Sequence, residues 1–152
     1  MFILINDENP VTSGWKTLKL NKGDTPHSVR LPVGPVLVPL SVWQARRAEL
    51  IHREYEHGWP LGVWLAADES AEAIQDDIDD FTVIAVEFDK LAYRNGVLNA
   101  RLLREHYGYK NELRAIGDVP RNKLSYLSRE GYDTFAAGDR KNAGGNGQAL
   151  SG

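Results

Sequence analysis

Asp118 follows Gly117 at the end of an apolar run, Glu112-Leu113-Arg114-Ala115-Ile116. The glycine lets the backbone turn tightly after a strand, and the carboxylate behind it has two possible uses. As a general base or a ligand-ordering group it would serve catalysis. As a cap it would satisfy the orphan N–H groups of a helix running through Pro120. Arg121 and Lys123 lie in the same segment as Asp118, and Asp68, Asp89, Lys90 and Arg94 fall in other segments that also follow apolar runs. Arg101, near the start of a helix expected over 99–107, could reach the same edge. Lys90, Arg94, Arg101 and Arg121 together suit an anion such as sulfite, phosphate or a carboxylate, helped by nearby helix N-termini. The plainer alternative is that each is a solvated charge or an ion pair at a helix end.

These residues come together only if the apolar runs are strands of one sheet. Residues 36–40, 61–65 and 82–86 are short and largely apolar, 112–116 reads as a fourth strand in which Glu112 and Arg114 alternate with Leu113 and Ala115, and 133–136 reads as a fifth. Between them lie segments with helical periodicity. The first is 42–56, with Ser41 as its N-cap and Gly58 and Pro60 as its stop; 70–79, 99–107 and 120–129 follow. Strands buried on both faces and alternating with helices mean an α/β fold. The expected architecture is an open, mostly parallel sheet of four to five strands with flanking helices. A partial barrel is the alternative. In open parallel sheets ligands bind outside the carboxyl ends of the strands, which selects the charged edge described above.

The expected domain organisation is a flap or hairpin over 1–32, an α/β domain over 33–136 and a disordered tail over 137–152. In the flap, 2–5 and 15–20 are candidate strands, while Asn9-Pro10 and Lys22-Gly23-Asp24 supply turn chemistry. The tail is rich in glycine, with Asn, Gln and Ser and little that is apolar.

Composition narrows the function. The chain has 152 residues, a formal net charge of -3 and no cysteine. The charge argues against nucleic acid and anionic membranes as partners. Without cysteine there is no disulfide and no thiolate nucleophile. No apolar run reaches the roughly 20 residues that span a bilayer, so a cytoplasmic location is expected. There is no Gly-x-Gly-x-x-Gly opening a helix and no phosphate-binding loop, and the sequence assigns no cofactor. His52 and His57 are five apart and do not share a helical face, so no metal site is read from them. The acidic run Asp76, Asp77, Asp79, Asp80 reads as a solvated helix end. Trp43 and Trp64 read as core, and Trp59 as part of an exposed turn.

The blocks Val36-Leu37-Val38-Pro39-Leu40, Gly62-Val63-Trp64-Leu65-Ala66, Ile84-Ala85-Val86-Glu87-Phe88, Ala100-Arg101-Leu102-Leu103-Arg104 and Leu113-Arg114-Ala115-Ile116-Gly117-Asp118-Val119 occur in that order. Over about residues 34–136 this pattern resembles the bacterial family called domain of unknown function 934. Its members are often encoded beside sulfite reductase and are commonly labelled as oxidoreductases or accessory proteins of sulfite reduction. The resemblance carries no catalytic residue over. The chain departs from the family at Asn95 and Leu98, where an arginine and a serine are usual, and at Asn122-Lys123, where Asp-Gln is usual. These changes fall on the expected site edge.

Three functions follow as expectations. The first is an accessory or interaction protein of assimilatory sulfite reduction, with sulfite reductase components as partners and no catalysis alone. The second is a small cofactor-assisted oxidoreductase that binds an anionic substrate such as sulfite through Lys90, Arg94 and Arg101 and uses Asp118 for proton transfer. The third is a homo-oligomeric scaffold.

Overall fold

The computed structural model describes residues 3–6, 9–12 and 14–136. The apolar runs form strands: β4 (Val36–Pro39), β5 (Leu61–Leu65), β6 (Val83–Phe88), β7 (Glu112–Gly117) and β8 (Thr134–Ala136). Before them come β1 (Ile3–Asn6), β2 (Asn9–Thr12) and β3 (Lys16–Thr17). All eight join one sheet in the order β2-β1-β8-β7-β6-β5-β4-β3. The strands from β3 to β8 are parallel, giving six where four to five were expected, and β1 pairs antiparallel with β2 and β8. Asn9-Pro10, read as a turn, lies inside β2, an edge strand where a proline is tolerated. The tail over 137–152 lies outside the described residues.

The helical elements are α1 (Leu40–Ala45), α2 (Arg47–His57), a 3₁₀ segment over 71–80, α3 (Tyr93–Arg101) continued by a π turn over 102–106, a 3₁₀ turn over 121–123 and α4 (Leu124–Glu130). The parallel strands follow one another in chain order. With right-handed crossovers that order puts every helix on the same face. The packing agrees. Val38, Val63, Leu65, Ile84, Val86, Phe88, Leu113 and Ala115 share one cluster with the buried helical residues Trp43, Leu50, Ile74, Ala100, Leu103 and Leu127. Alternate strand residues, Leu37, Val83, Ala85, Ile116 and Ala136, form a second cluster with Trp15 and Trp64.

Among the described residues the second face has no helix on it, yet Leu37 and Ala85 are fully buried. Curling of the sheet explains this. Its two edge strands, β2 and β3, are consecutive in the chain, with Thr12 and Lys16 only four Cα steps apart. Four steps span at most about 14 Å. A flat eight-stranded sheet would hold its edges roughly 34 Å apart. The sheet therefore bends round so that its inner side chains bury one another, as in a small barrel whose interior is filled by side chains. No ladder joins β2 to β3 among the described residues, so the sheet is an open, curled half-barrel. Gly62 fits this crowding, since a Cβ there would sit 2.6 Å from the Leu37 side chain and 3.0 Å from Trp15.

Two helix boundaries differ from expectation. The first helix begins at Leu40 after Pro39, so Ser41 lies inside it and is not its cap. It breaks at Arg46 (φ -130°, ψ 33°), whose guanidinium pairs with Glu49 and donates to the Val29 carbonyl at 2.7 Å. The third helix begins at Tyr93, well before the expected Asn99. Asn95, Gly96 and Asn99 are weak helix formers, and packing of the helix against β6 overrides their preference.

Candidate functional site

The carboxyl ends of β6 and β7 border an open cleft of about 630 Å³ lined by Asp89, Lys90, Tyr93, Asp118, Val119, Pro120, Arg121 and Lys123. Most of the residues picked out from sequence therefore meet in one place. Asp89, Lys90, Asp118, Arg121 and Lys123 are all exposed. Asp118 is placed by Gly117, whose φ of +81° suits glycine, and a Cβ there would meet the Phe88 carbonyl oxygen at 2.5 Å. The Asp118 amide then donates to that carbonyl at 2.9 Å, tying the end of β7 to the end of β6. Asp118 is not a helix cap: the cap positions ahead are Pro120 and Lys123, and neither has a side-chain bond. Tyr93 is half-buried. Burial first, then Tyr126 and Glu130 nearby, push its phenol up.

A second cleft, of about 450 Å³, adjoins the first and shares Asp89 with it. It is lined by Ala66, Ala67, Asp68, Glu87, Leu91 and Ala92. The ridge between the clefts is the β6–α3 loop. Asp89 shapes it by accepting the Leu91 amide on its carboxylate at 2.9 Å and the Ala92 amide on its carbonyl at 3.3 Å. Leu91 stands on the crest, 97% exposed.

The loop after β5 is clamped from α3. Asn95 donates to the carbonyls of Ala67 (2.7 Å) and Glu69 (3.1 Å). Asn99, buried, donates to the Glu69 carbonyl at 3.0 Å and accepts the Ala71 amide at 2.8 Å. Glu69 accepts the Ala66 amide at 2.7 Å, and Glu87 accepts the Ala67 amide at 3.3 Å. Sequence reasoning missed this clamp. Its signal is a pair of asparagines at helical i, i+4 spacing, visible only once the helix starts at Tyr93. Asn95, a departure from the family pattern, thus holds backbone. Leu98, a second departure, is 48% exposed on the outer side of α3, and Lys123, another, lines the main cleft.

Arg94 is exposed in the first turn of α3 and lines neither cleft. Arg101 is not at the edge. It is the last residue of α3, roughly 12 Å along the axis from Tyr93. There its guanidinium forks onto Glu130 at 2.8 and 3.1 Å, at the far end of α4. That pairing holds the Glu130 carboxyl below the usual carboxylate range.

Elsewhere, charges are used structurally. Arg114, buried in the curled face, donates to Glu112 at 3.0 and 2.9 Å, and the Thr134 hydroxyl donates to the same carboxylate oxygen at 2.7 Å. Asp77, from the acidic run, accepts the Trp43 indole at 3.1 Å and pairs with Arg47 at 2.6 Å. His52 lies 3.5 Å from Glu56, and His57 stacks on Trp59 at 4.4 Å. Among the described residues no group of three or more His, Asp or Glu side chains is arranged to hold a metal ion. None of their helices is long and apolar enough to cross a membrane.

No curated protein and no solved structure matches the chain. The model of the family described as "Bacterial protein of unknown function (DUF934)" matches residues 62–151, a span that takes in β5 to β8, α3, α4 and both clefts. The chain belongs to that family.

Proposed function

We propose that this chain is an accessory or interaction protein of assimilatory sulfite reduction, working through the carboxyl edge of its sheet without turnover of its own. One observation carries the docking role: the charged side chains of the main cleft, Asp89, Lys90, Asp118, Arg121 and Lys123, all stand at the surface. A small-molecule site normally buries most of its ligand and lines it with apolar groups around a few fixed polar ones. An open edge of exposed charges suits a macromolecular partner better. The link to sulfite reduction comes from the resemblance to a family often encoded beside sulfite reductase, and a cytoplasmic location fits it. The test is affinity capture from cells grown on sulfate as sole sulfur source, read by quantitative mass spectrometry. Sulfite reductase subunits are expected to be enriched over a tag-only control, and their absence overturns the assignment.

A second reading, a small oxidoreductase acting on an anion such as sulfite, draws on one arrangement: Asp118 shares its cleft with Lys90, Arg121 and Lys123. It predicts saturable sulfite binding by calorimetry, lost in Arg121→Ala and kept in Arg101→Ala.

A further inference from the structure

A guanidinium drawn out of water is costly unless a counter-charge meets it. Among the described residues Arg46, Arg104 and Arg114 are half-buried or buried, and each faces a carboxylate: Glu49, Asp133 and Glu112. Arg53 is half-buried too and pairs with none. Its Nη2 donates to the carbonyls of Pro32 and of Gly34, the latter at 3.2 Å, and its guanidinium lies 4.7 Å from the centre of the Trp59 ring. Those contacts fix the group and leave its Nε and Nη1 without a partner among the described residues. Burial pulls the guanidinium below the usual arginine value, and nearby Glu49 offsets part of this.

Arg53 lines an open groove of about 550 Å³ between α2 and residues 28–31, on the loop from β3 to β4. The groove shares no residue with the two clefts of the carboxyl edge. Arg46 and Arg53 sew that loop to the helix, the first through the carbonyls of Pro26 and Val29. The charged lining is Arg30, Arg46 and Arg53 against Glu49 and Glu56, which leaves one positive charge in excess. Glu49 keeps its charge, but Arg46 answers it, meeting both of its oxygens at 2.8 Å. Glu56 sits beside two imidazoles, 3.5 Å from His52 and 3.8 Å from His57. Arg30, exposed on the opposite wall, makes no ion pair or side-chain hydrogen bond among the described residues. The groove thus holds two guanidinium groups with no carboxylate of their own, one of them held in place.

A planar guanidinium with open N–H groups matches the oxygens of a phosphate. The volume of the groove lies within the range of small-molecule sites. We propose that this groove binds a phosphate-type oxyanion, free or carried as an ester by a small molecule, with Arg53 as the fixed contact and Arg30 as the second. The proposal goes beyond the docking role of the carboxyl edge and does not depend on it.

The test is isothermal titration calorimetry on the full-length chain in phosphate-free buffer. The probes are inorganic phosphate and glycerol 3-phosphate, with glycerol as the neutral control. Saturable binding is expected for at least one anion and none for glycerol. Arg53→Lys keeps the charge, gives up the planar fork, and is expected to weaken binding about tenfold. Arg30→Ala removes no contact of the fold and is expected to weaken it about two- to fivefold. Glu56→Gln removes a repelling carboxylate and is expected to tighten it about twofold, a change of sign that a merely structural role would not produce. Arg121→Ala, in the main cleft, is expected to bind like the parent. Thermal melting reports whether each variant folds, and if Arg53→Lys loosens the loop, Arg30→Ala and Glu56→Gln still decide. With this dependence, tighter binding of the ester marks an organic ligand and equal binding marks the oxyanion alone; both uphold the site. Binding of neither anion overturns the proposal. So does binding that ignores Arg30, Arg53 and Glu56, or that is lost in Arg121→Ala.

Discussion

Gly96→Ala sets two effects of opposite sign against each other. In an exposed helix interior the change would stabilise by about 1 kcal/mol, because alanine loses less backbone freedom than glycine. Gly96 lies within α3 and is buried. A Cβ there would come within 2.4 Å of two ring atoms of Phe88 and 3.0 Å of a third. Ordinary carbon contacts lie at 3.5–4.0 Å, so the ring or the helix must move by about 1 Å. A ring tip at the surface would swing away. This one is 1% exposed and packs edge-on to Tyr132 at 5.6 Å. Tyr132, fully buried with its phenol pushed well above its ordinary value, donates from its hydroxyl to the Gly96 carbonyl at 2.6 Å. Helix, ring and tyrosine are thus locked together. Overpacking of this kind costs about 1–3 kcal/mol, which outweighs the propensity gain. The net expectation is a destabilisation of about 1–2 kcal/mol, or a drop in Tm of about 3–6 °C for a chain of this size. Urea unfolding and differential scanning calorimetry measure it. Phe88→Leu in the same chain should recover part of the loss, because the two changes share one space. A Gly96→Ala protein more stable than the parent would refute the packing argument and show that α3 sits less tightly on β6.

Three further outcomes follow from other contacts. Asn99→Leu leaves the buried Ala71 amide without its partner and the Glu69 carbonyl with Asn95 alone, and should cost about 1–3 kcal/mol in urea unfolding; a neutral result would mean that the β5 loop does not depend on its clamp. Gly117→Ala forces a side chain to φ +81° and against the Phe88 carbonyl, and should cost about 2 kcal/mol or more while lowering affinity for any ligand of the edge. Asp80→Asn should stabilise by up to about 0.5 kcal/mol at pH 7. Burial, then Asp77, raises the Asp80 carboxyl, and burial and Asp80 raise that of Glu54. A folded pKa above the unfolded one penalises the charged form, so the gain should hold at neutral pH and fade as pH falls towards about 4, where these groups take up protons in both states. Melting curves from pH 4 to 8 check the sign; a gain that grows as pH falls would contradict it.

The strands were legible because each is a short apolar run buried on both faces, and the rule that ligands gather at carboxyl ends led from them to the cleft holding Asp89, Lys90, Asp118 and Arg121. Two features were harder to read. The start of α3 was masked by Asn95, Gly96 and Asn99, which speak against a helix locally and are kept there by contacts with Phe88, Ala67, Glu69 and Ala71. That error carried Arg101 to the wrong end of its helix. The curl of the sheet was present in the sequence only as the partial-barrel alternative, because it depends on β1 and β2 pairing beyond β8, a long-range contact with no local signature, and because Asn9-Pro10 has the chemistry of a turn.

The curl and the site are connected. The inner face of the curled sheet is packed by Leu37, Trp64, Ala85 and Arg114. The two clefts lie instead at the loops beyond the strand ends. Those loops hold their positions through α3: Gly96 seats the helix on Phe88, Asn95 and Asn99 fix the loop after β5, and the β6–α3 turn that opens the helix carries Lys90 and Leu91. A change that loosens α3 should therefore reach the edge even where it touches no residue of the cleft. If Gly96→Ala lowered stability and left affinity at the edge intact, the loops would have to be held by Asp89 and Gly117 alone.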